Sequence, residues 1–340
     1  MTEIRPGQKL ERFAAESLLS QLEALLKEID GVLEAKDLEH VHRMRVASRR
    51  LRTRLKLFES CLPGKKASEW PREMKRITRA LGKARDKDVQ IKVVKEFLAS
   101  ASARDQPGLK RLLLRFAQSR IRLQKRVVKA ISQFRESGVV QDMEGALRSL
   151  RIRGRLLENG SSSAEVHRAA QQAVSAELEE MLSYELYVHQ PDRGAELHAM
   201  RIAAKYLRYT METFGPEIPG ELQEYIQAAK RIQDLLGELH DSEVWIQALP
   251  KFFEKEHARA VEYFGHSKHV SRLKPGMLAL EKDRKRKRQE AFKEFGSFWE
   301  EIQKQDLWGR LLREMSALIP VPDQPAAGTG AKPLEKETAG

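Results

Sequence analysis

The residues in this sequence best suited to binding chemistry lie in two rows that each begin with a histidine. Residues 42–58 read HRMRVASRRLRTRLKLF, and residues 198–214 read HAMRIAAKYLRYTMETF. In a helix with about 100° per residue, the His and cations of each segment fall within an arc of about 80°. The first stripe consists of His42, Arg45, Arg49, Arg52 and Lys56. The second stripe consists of His198, Arg201, Lys205 and Arg208.

These residue types are suited to phosphate groups. Arginine offers a fixed fork of N–H donors to phosphate oxygens, lysine is a mobile point charge, and histidine is a neutral donor or, at lower pH, an added charge. Each stripe alone is also typical of an ordinary solvated face. The repetition favours a site, because like charges one turn apart weaken a helix by a few tenths of a kcal/mol and need compensation. The first stripe would be about 21 Å long, which spans several phosphate units.

The opposite side of both segments is apolar. In the first segment it carries Met44, Ala47, Leu51, Leu55 and Phe58. In the second it carries Met200, Ala203, Ala204, Leu207, Met211 and Phe214. A helix with one apolar face buries that face against its neighbours, so both stripes are predicted to point away from the core.

A second pair of matching segments follows each stripe. Residues 75–89 read KRITRALGKARDKDV, and residues 230–244 read KRIQDLLGELHDSEV. Two segments that recur in the same order with nearly constant separation indicate an internal duplication. The sequence therefore predicts two similar helical halves, residues 8–136 and 163–317, with a connecting segment at 137–162.

Apolar residues at helical spacing run through the chain without alternating strand patterns, so the predicted fold is all-α. Helices are predicted over about 8–33, 37–61, 66–81, 87–103, 107–136, 140–158, 163–188, 194–214, 219–236, 242–257, 275–303 and 305–317. Residues 318–340 are rich in Pro, Gly, Ala and charge, and are predicted to be a disordered tail.

The repeated Leu-Gly segments allow three interpretations. Gly82 and Gly237 are predicted to end a helix in a left-handed cap, with Asp86 and Asp241 beginning the next helix. These carboxylates could instead orient a cation on the histidine helices. With Asp88 and Glu243 their spacing could also suit Mg²⁺, but the cationic stripes oppose a metal ion, and no metal site is predicted.

Further cations extend the candidate site. Lys75, Arg76, Arg79 and Lys230 come just before the repeated Leu-Gly. Arg115, Arg122 and Lys125 share a face of one later helix, and Lys282 and Arg286 share a face of another. The run of five adjacent cations from Arg284 to Arg288 cannot all point one way, and solvated surface is the better interpretation for those that point elsewhere.

Composition sets the class of protein. The 340 residues include 62 Lys and Arg against 49 Asp and Glu, a net charge of +13, so an anionic partner is expected. A single cysteine excludes an internal disulfide framework and a cysteine-based metal cluster. No run approaches the roughly 20 apolar residues of a membrane span, and no signal peptide begins the chain. We therefore expect a soluble, cytoplasmic protein without a membrane partner.

The sequence resembles the CHAD family, the conserved histidine α-helical domain. The residues that carry the resemblance are the paired H-x2-R-x3-[RK]-x2-R helices from His42 and His198, with the two Leu-Gly segments, and it spans about residues 8–303. The resemblance implies pseudo-symmetric helical bundles that bind inorganic polyphosphate in a basic groove or channel between the halves. It implies contacts from the first four residues of each stripe, and association of some members with polyphosphate granules. Asp234 and His240 depart from the first half, which has Arg79 and Arg85 there.

The functional prediction is non-catalytic polyphosphate binding, with no catalytic residue, cofactor or metal. Granule-associated proteins are candidate partners. A nucleic-acid binder is the main alternative, because its phosphate backbone carries the same charge. The stripes have few aromatic residues for base stacking and few Asn or Gln for reading base edges, with Tyr206 and Tyr209 the exceptions. An enzyme acting on phosphate chains is a third possibility.

Overall fold

The computed structural model describes residues 7–64, 68–156, 164–218, 220 and 222–318. These residues form helices joined by short turns and contain no strand, so the all-α prediction is confirmed. The helices are α1 (Gln8–Leu26), α2 (Ile29–Glu34), α3 (Leu38–Leu57), α4 (Glu69–Ala99), α5 (Gln106–Glu136), α6 (Val139–Leu156), α7 (Ala164–Leu182), α8 (Gly194–Phe214), α9 (Gln223–Phe264), α10 (Lys274–Lys304) and α11 (Leu307–Ala317).

The stripe-bearing helices are α3 and α8. The carboxylate of Asp37 caps α3 by accepting a hydrogen bond from the backbone N–H of Glu39 at 2.9 Å. The predicted apolar faces are buried, since Met44, Leu51, Met200 and the other apolar residues named above lie in the core. The prediction that the stripes turn away from the core is therefore confirmed for both helices.

Helices α4 and α9 are continuous where the sequence predicted breaks. Gly82 lies in the middle of α4 and Gly237 in the middle of α9, so the prediction of left-handed helix ends at these glycines was wrong. A Cβ at Gly82 would lie 3.7 Å from Nε of Arg45, and one at Gly237 would lie 3.4 Å from Nε of Arg201. An arginine of each stripe thus lies across the neighbouring helix at the position of the glycine, at a distance that would also accommodate a Cβ.

Equivalent neighbours surround the two stripe helices. Helix α3 packs against α1 and α4, and α4 packs along α5. Helix α8 packs against α7 and α9, and α9 packs along α10. The parallel arrangement agrees with the duplication predicted from the sequence, which itself stays a prediction. Helices α3 and α8 contact each other, and so do α5 and α10.

Two apolar clusters hold the helices together. The larger cluster includes an aromatic group of Phe13, Phe58 and Phe214, whose ring centroids lie 5.6 to 5.8 Å apart beside the α3–α8 contact. The second cluster joins α4 and α5 to α9 and α10 through Val94, Leu109, Leu112, Trp245, Leu249 and Leu280. The two halves of the chain are therefore linked by apolar contacts in two places.

Close backbone contact fixes the crossing of α5 and α10. A Cβ at Gly108 would lie 2.1 Å from the carbonyl oxygen of Leu273, and one at Gly276 would lie 2.0 Å from that of Asp105. The prolines before both glycines occupy the first turn of a helix, where a missing N–H costs nothing. These Pro-Gly pairs mark helix starts, as expected, and they also build a contact between the halves.

The predicted connecting segment and the predicted tail lie only partly within the described residues. Most of the predicted connecting segment is α6, which packs against α1. Residues 157–163 and the predicted tail from residue 319 onward lie outside the described residues.

Candidate polyanion-binding site

The site begins where α3 and α8 contact each other. Nη2 of Arg50 donates to Oε2 of Glu212 at 2.8 Å, and Nε of Arg54 donates to Oγ1 of Thr213 at 3.2 Å. Oε1 of Glu212 accepts from Nη1 of Arg208 at 2.9 Å. One carboxylate of α8 thus binds an arginine from each helix, and it sets the two stripes beside each other.

The two stripes meet in one group of charges. Desolvation, followed by the charges of Arg49, Arg201, Arg52 and Arg45, lowers the pKa of Lys205 to about 7. Desolvation also lowers the pKa of Arg45 and of Arg201, with the Arg49 charge acting on both. We call the five residues Arg45, Arg49, Arg52, Arg201 and Lys205 the cation cluster. The cluster combines three residues of α3 with two of α8.

The histidines flank the cation cluster in their neutral form. Burial and then the charge of Arg85 lower the pKa of His42. The ring centroid of His198 lies 3.9 Å from that of His240, and burial followed by this neighbour lowers the pKa of His198 to about 4. Histidines with such pKa values are uncharged at pH 7, so they can offer one N–H donor each without adding charge.

Four equivalent polar atoms have no hydrogen-bond partner among the described residues. They are buried Nδ1 of His42 and of His198, and buried Nε of Arg45 and of Arg201. Buried polar atoms are nearly always paired in folded proteins, because an unpaired one forfeits the hydrogen bond it makes in water. The same two atoms in each stripe are thus buried without a partner among the described residues.

Two aspartates balance part of this charge. Oδ1 of Asp86 lies 4.0 Å from Nη2 of Arg45. Asp241 interacts with Arg201, although desolvation raises the pKa of Asp241, with a further increase from the charge of Asp86. The aspartates of α4 and α9 therefore lie near each other and beside an arginine of each stripe. Asp86 and Asp241 thus lie in the middle of helices rather than at helix starts. Their positions fit the alternative interpretation, in which they orient a cation of the histidine helices.

The predicted residues before the repeated Leu-Gly divide into two groups. Lys75 and Arg79 lie within an arc of about 40° of Asp86 on α4, and Lys230 has the same spacing from Asp241 on α9. These three cations are exposed on the side of their helices that carries the site. Arg76 points elsewhere and pairs with Glu73 at 2.6 Å.

Positive charge is less concentrated at the ends of the stripes than at their centres. Lys56 is exposed, and Glu177 of α7 interacts with both Lys56 and Lys205. Arg208 lies with its guanidinium 4.8 Å from the ring centroid of Tyr209, in addition to its bond with Glu212. A carboxylate partner occupies each of these ends.

The predicted cations of α5 and α10 are either bound to carboxylates or exposed. Arg115 forms two hydrogen bonds, of 2.8 and 3.2 Å, with the buried carboxylate of Glu256. Arg286 pairs with Asp283 and Glu290, both at 2.8 Å. Arg122, Lys125 and Lys282 are exposed. Within the described structure no ion pair or hydrogen bond joins these five residues to the cluster.

The run from Arg284 to Arg288 is not simply solvated surface. Arg284 is only 5% exposed and pairs with Asp283 and, at 3.7 Å, with Glu238. Arg288 donates to the carbonyl of Pro191 at 2.6 Å and pairs with Glu243 at 2.9 Å. The surface interpretation was therefore wrong for these two arginines, because their partners come from helices and turns distant in the sequence.

The carboxylates considered as Mg²⁺ ligands have other partners. Oδ1 of Asp88 accepts from Nε of Arg120 at 2.6 Å in the protein interior, and Glu243 binds Arg288. No three His, Cys, Asp or Glu side chains among the described residues are grouped so that they could hold a metal ion.

Sequence reasoning missed Arg50 and Arg54, and it named Arg85 and Tyr209 without assigning them to the polyphosphate site. Arg50 and Arg54 lie outside the stripe of α3, and their partners lie more than 150 positions away in α8. The spacing of Arg208 and Glu212, four residues apart on one helix, was a usable signal for an ion pair.

Comparisons with known proteins give a consistent result. A family model described as the CHAD domain matches residues 16–250. The solved CHAD domain of the plant Ricinus communis is 24% identical, with a TM-score of 0.59 over 81% of this chain and 87% of its own. PptA from Streptomyces chartreusis is 14% identical, with a TM-score of 0.60 over 85% of this chain and 99% of its own. No curated protein matches the chain. Among the described residues, no helix is long and apolar enough to cross a membrane.

Proposed function

Because this chain belongs to the CHAD domain family, we propose that it binds inorganic polyphosphate, without catalysis, at the surface formed by the two stripes. The family is associated with polyphosphate in general. The observation that carries the proposal for this chain is the cation cluster, in which the charges of Arg45, Arg49, Arg52 and Arg201 all act on Lys205. Like charges brought so close repel one another, and a bound polyanion relieves that repulsion.

The chemistry of the site suits a chain of phosphates. The guanidinium groups can each form two parallel N–H···O bonds with phosphate oxygens. Neutral His42 and His198 can each offer one ring N–H to a phosphate oxygen. Lys75 and Arg79 extend the positive surface along α4 from Asp86, and Lys230 extends it along α9 from Asp241. Arg85 and His240 lie beside the two histidines and add donors at this end.

The predicted cations outside this surface have a smaller part in the proposal. Arg115 and Arg286 already bind carboxylates, and Arg76 does so too. Lys56, Arg122, Lys125 and Lys282 are exposed and could attract a polyanion from a distance, which raises the rate of association more than the final affinity. The central contacts of the proposal are the cation cluster and the two histidines.

On this proposal the protein works in the cytoplasm and associates with polyphosphate granules. Several adjacent phosphate units would contact the surface together, and each contact would release condensed counterions, much as contacts with DNA do. Binding should therefore favour long chains and weaken steeply with salt. Orthophosphate makes too few contacts to compete.

The proposal is tested by reversing charge at the centre of the site. The double variant Arg45→Glu with Arg201→Glu should weaken binding of long-chain polyphosphate by at least about a hundredfold, because each arginine both loses a contact and becomes repulsive. The matched control is Arg104→Glu with Arg272→Glu. These two exposed arginines lie near the α5–α10 crossing, and the control makes the same change in net charge.

Fluorescence anisotropy with end-labelled polyphosphate would measure both affinities. Equal losses in the two double variants would mean that net charge, and not this site, drives binding. Displacement of polyphosphate by duplex DNA or RNA at equal phosphate concentration would overturn the preference for polyphosphate. Release of orthophosphate or shorter chains in the presence of Mg²⁺, lost in His42→Ala, would overturn the non-catalytic assignment.

A further inference from the structure

Helix α9 is longer than the matching helix of the first half. The repeated segments at 75–89 and 230–244 pair the last residue of α4, Ala99, with Glu254 of α9. Helix α9 continues for ten more residues, to Phe264. Because this extension has no equivalent in the first half, any site that it builds occurs once in the molecule.

The extension places one buried carboxylate among three arginines. Glu256 is only 4% exposed, and its carboxylate accepts from Nε and Nη2 of Arg115 at 2.8 and 3.2 Å. Nη1 of Arg259, on the next turn of α9, donates to Oε1 of Glu256 at 2.6 Å. Nη1 of Arg111 lies 3.6 Å from Oε2. We call Arg111, Arg115 and Arg259 the arginine trio.

The positive charge of the arginine trio exceeds the negative charge beside it. Burial alone would raise the pKa of Glu256, but the hydrogen bonds from Arg115 and Arg259 lower it, so the carboxylate is ionised at neutral pH. Among the described residues no second carboxylate pairs with the trio. One carboxylate neutralises one of the three guanidinium groups. The site therefore keeps two positive charges close together, which favours an anionic ligand.

The arginine trio also has N–H groups left for a ligand. A guanidinium carries five N–H donors. Within the described structure, Arg115 uses three of them on Glu256 and Gln118, and Arg259 uses one. The contact of Arg111 is longer than a hydrogen bond. The side chains of Arg111, Arg115 and Arg259 are 43%, 29% and 52% exposed, so a ligand can reach the remaining donors.

We propose that the arginine trio is a second phosphate-binding site, which takes a short chain of phosphates such as tripolyphosphate. Guanidinium groups suit this ligand because each can form two parallel N–H···O bonds with phosphate oxygens. Glu256 holds the inner side of the three groups together, and their outer donors face the ligand. Since the carboxylate already restrains these side chains, binding costs less conformational freedom than binding to separate surface arginines.

The arginine trio is a different site from the cation cluster. Asp241, beside the cluster, and Glu256 are fifteen residues apart on α9, which corresponds to about 22 Å in a helix. Trp245 and Leu249 of the second apolar cluster come between them along the helix. A chain of three phosphates is too short to span this distance. Two such chains should therefore bind independently.

Isothermal titration calorimetry with tripolyphosphate and the full-length protein tests the proposal. The wild type should bind two chains. Arg45→Glu with Arg201→Glu, which disables the cation cluster, should still bind one. Adding Arg111→Gln with Arg259→Gln to this background should weaken the remaining binding by at least about tenfold, because two of the three guanidinium contacts are lost.

A charge-matched control uses Arg72→Gln with Arg168→Gln in the same background. These exposed arginines lie on α4 and α7, and replacing them should change the affinity for tripolyphosphate by less than about twofold. Arg115 is kept in every variant, because its loss would leave the buried carboxylate of Glu256 without its main partner. An equal loss of affinity in the test and control variants would show that net charge explains the binding, and would overturn the proposal.

A second site makes the protein bivalent for long polyphosphate, a consequence that rests on the function proposed above. One molecule can then hold two chains and link them into larger particles. Dynamic light scattering with long-chain polyphosphate, at equal fractions of bound protein, should show smaller particles for Arg111→Gln with Arg259→Gln than for Arg72→Gln with Arg168→Gln. Particles of equal size would contradict this linking role.

The two sites can fail separately in these experiments. If Arg111→Gln with Arg259→Gln removes all binding of tripolyphosphate from the wild type, the second site stands and the function proposed for the cation cluster is contradicted. If Arg45→Glu with Arg201→Glu removes all binding, the arginine trio is not a phosphate site.

Discussion

At the scale of single residues, the site combines permanent charges with groups that change charge near neutral pH. Arginines keep their charge at all physiological pH values. Lys205 has a pKa of about 7, and His198 has one of about 4. A polyanion stabilises the charged form of each group, so binding would be accompanied by uptake of protons. The group that governs this uptake depends on the pH.

The first residue-scale prediction concerns pH. Bound polyphosphate should raise the pKa of Lys205 above about 7, so between pH 7.5 and 9.0 binding requires a proton from solvent and affinity should fall as the pH rises. We expect a loss of up to about tenfold over this range. The histidines do not contribute here, because their lowered pKa values leave them neutral throughout. Isothermal titration calorimetry at several pH values would measure the effect.

The variant Lys205→Met is the control for this prediction. It removes the titrating amine and keeps an unbranched apolar side chain, so its affinity should be lower at pH 7.5 and nearly independent of pH up to 9.0. A wild-type affinity that stays constant over this range, or a variant that keeps the full pH slope, would show that Lys205 does not take up the proton.

Sequence patterns predicted the residues of the stripes but not all of their partners. The spacing of His42, Arg45 and Arg49 places them on one side of a helix, whichever neighbour that helix has. The bond from Arg50 to Glu212 joins residues of different helices, so it depends on tertiary packing that periodicity does not encode. The same reason explains why the buried state of Arg284 was not predicted.

At the scale of the helices, α4 and α9 are the elements that sequence patterns described least well. Glycine usually weakens a helix, because it has more freedom to lose on folding. Gly82 and Gly237 lie within regular helices, and neither has a positive φ angle. Buried apolar residues at helical spacing continue on both sides of each glycine, and this pattern outweighed the local signal for a helix end.

The element-scale prediction follows from the helical state of Gly82. Gly82→Ala should raise the free energy of unfolding by about 0.5–1 kcal/mol, because alanine is the better helix former and its Cβ would lie 3.7 Å from Arg45, an ordinary contact distance. Urea denaturation would measure the change. A loss of stability would contradict a regular helix at this position and favour the left-handed cap that the sequence suggested.

Gly265 provides the matched comparison. It ends α9 with a φ angle of +68°, and no atom lies within 4 Å of the position of an added Cβ. Gly265→Ala should therefore lower the free energy of unfolding by about 1 kcal/mol, through backbone strain alone. If both alanine variants changed stability in the same direction, the distinction between the two glycines would be wrong.

At the scale of the whole molecule, charge and packing act in opposite directions. The chain carries a net charge of +13, and part of that excess is gathered in the cation cluster. The two apolar clusters hold the helices together against this repulsion. A ligand that neutralises the cation cluster should consequently stabilise the folded state as a whole.

The whole-molecule prediction is a rise in melting temperature with long-chain polyphosphate. With ligand in hundredfold excess over its dissociation constant, mass action contributes about 2.7 kcal/mol, which raises the melting temperature by several degrees. Orthophosphate at the same total phosphate concentration should have little effect. Differential scanning fluorimetry would measure both, at low and at high NaCl.

Salt provides the control for this stabilisation. The rise should shrink strongly between about 50 and 200 mM NaCl, because counterion release is the main source of affinity. A stabilisation that persists unchanged in high salt, or that orthophosphate reproduces, would contradict the multivalent electrostatic contact proposed here.

The sequence was sufficient to predict the all-α class and the family, and the match over residues 16–250 confirms the latter. Repeated motifs and apolar periodicity carry this information locally. The second apolar cluster and the crossing of Gly108 and Gly276 were not predicted, because they depend on how distant helices meet. The duplication is still a prediction based on the repeated segments.

The position of the two apolar clusters also bears on how the ligand is received. The larger one contains the apolar faces of α3 and α8 themselves, so apolar packing opposes any separation of the helices that carry the charges. The free energy of folding already includes the repulsion among these charges, so binding does not add that cost. This preorganisation implies nearly rigid-body recognition, with little rearrangement of α3 and α8 when a phosphate chain arrives.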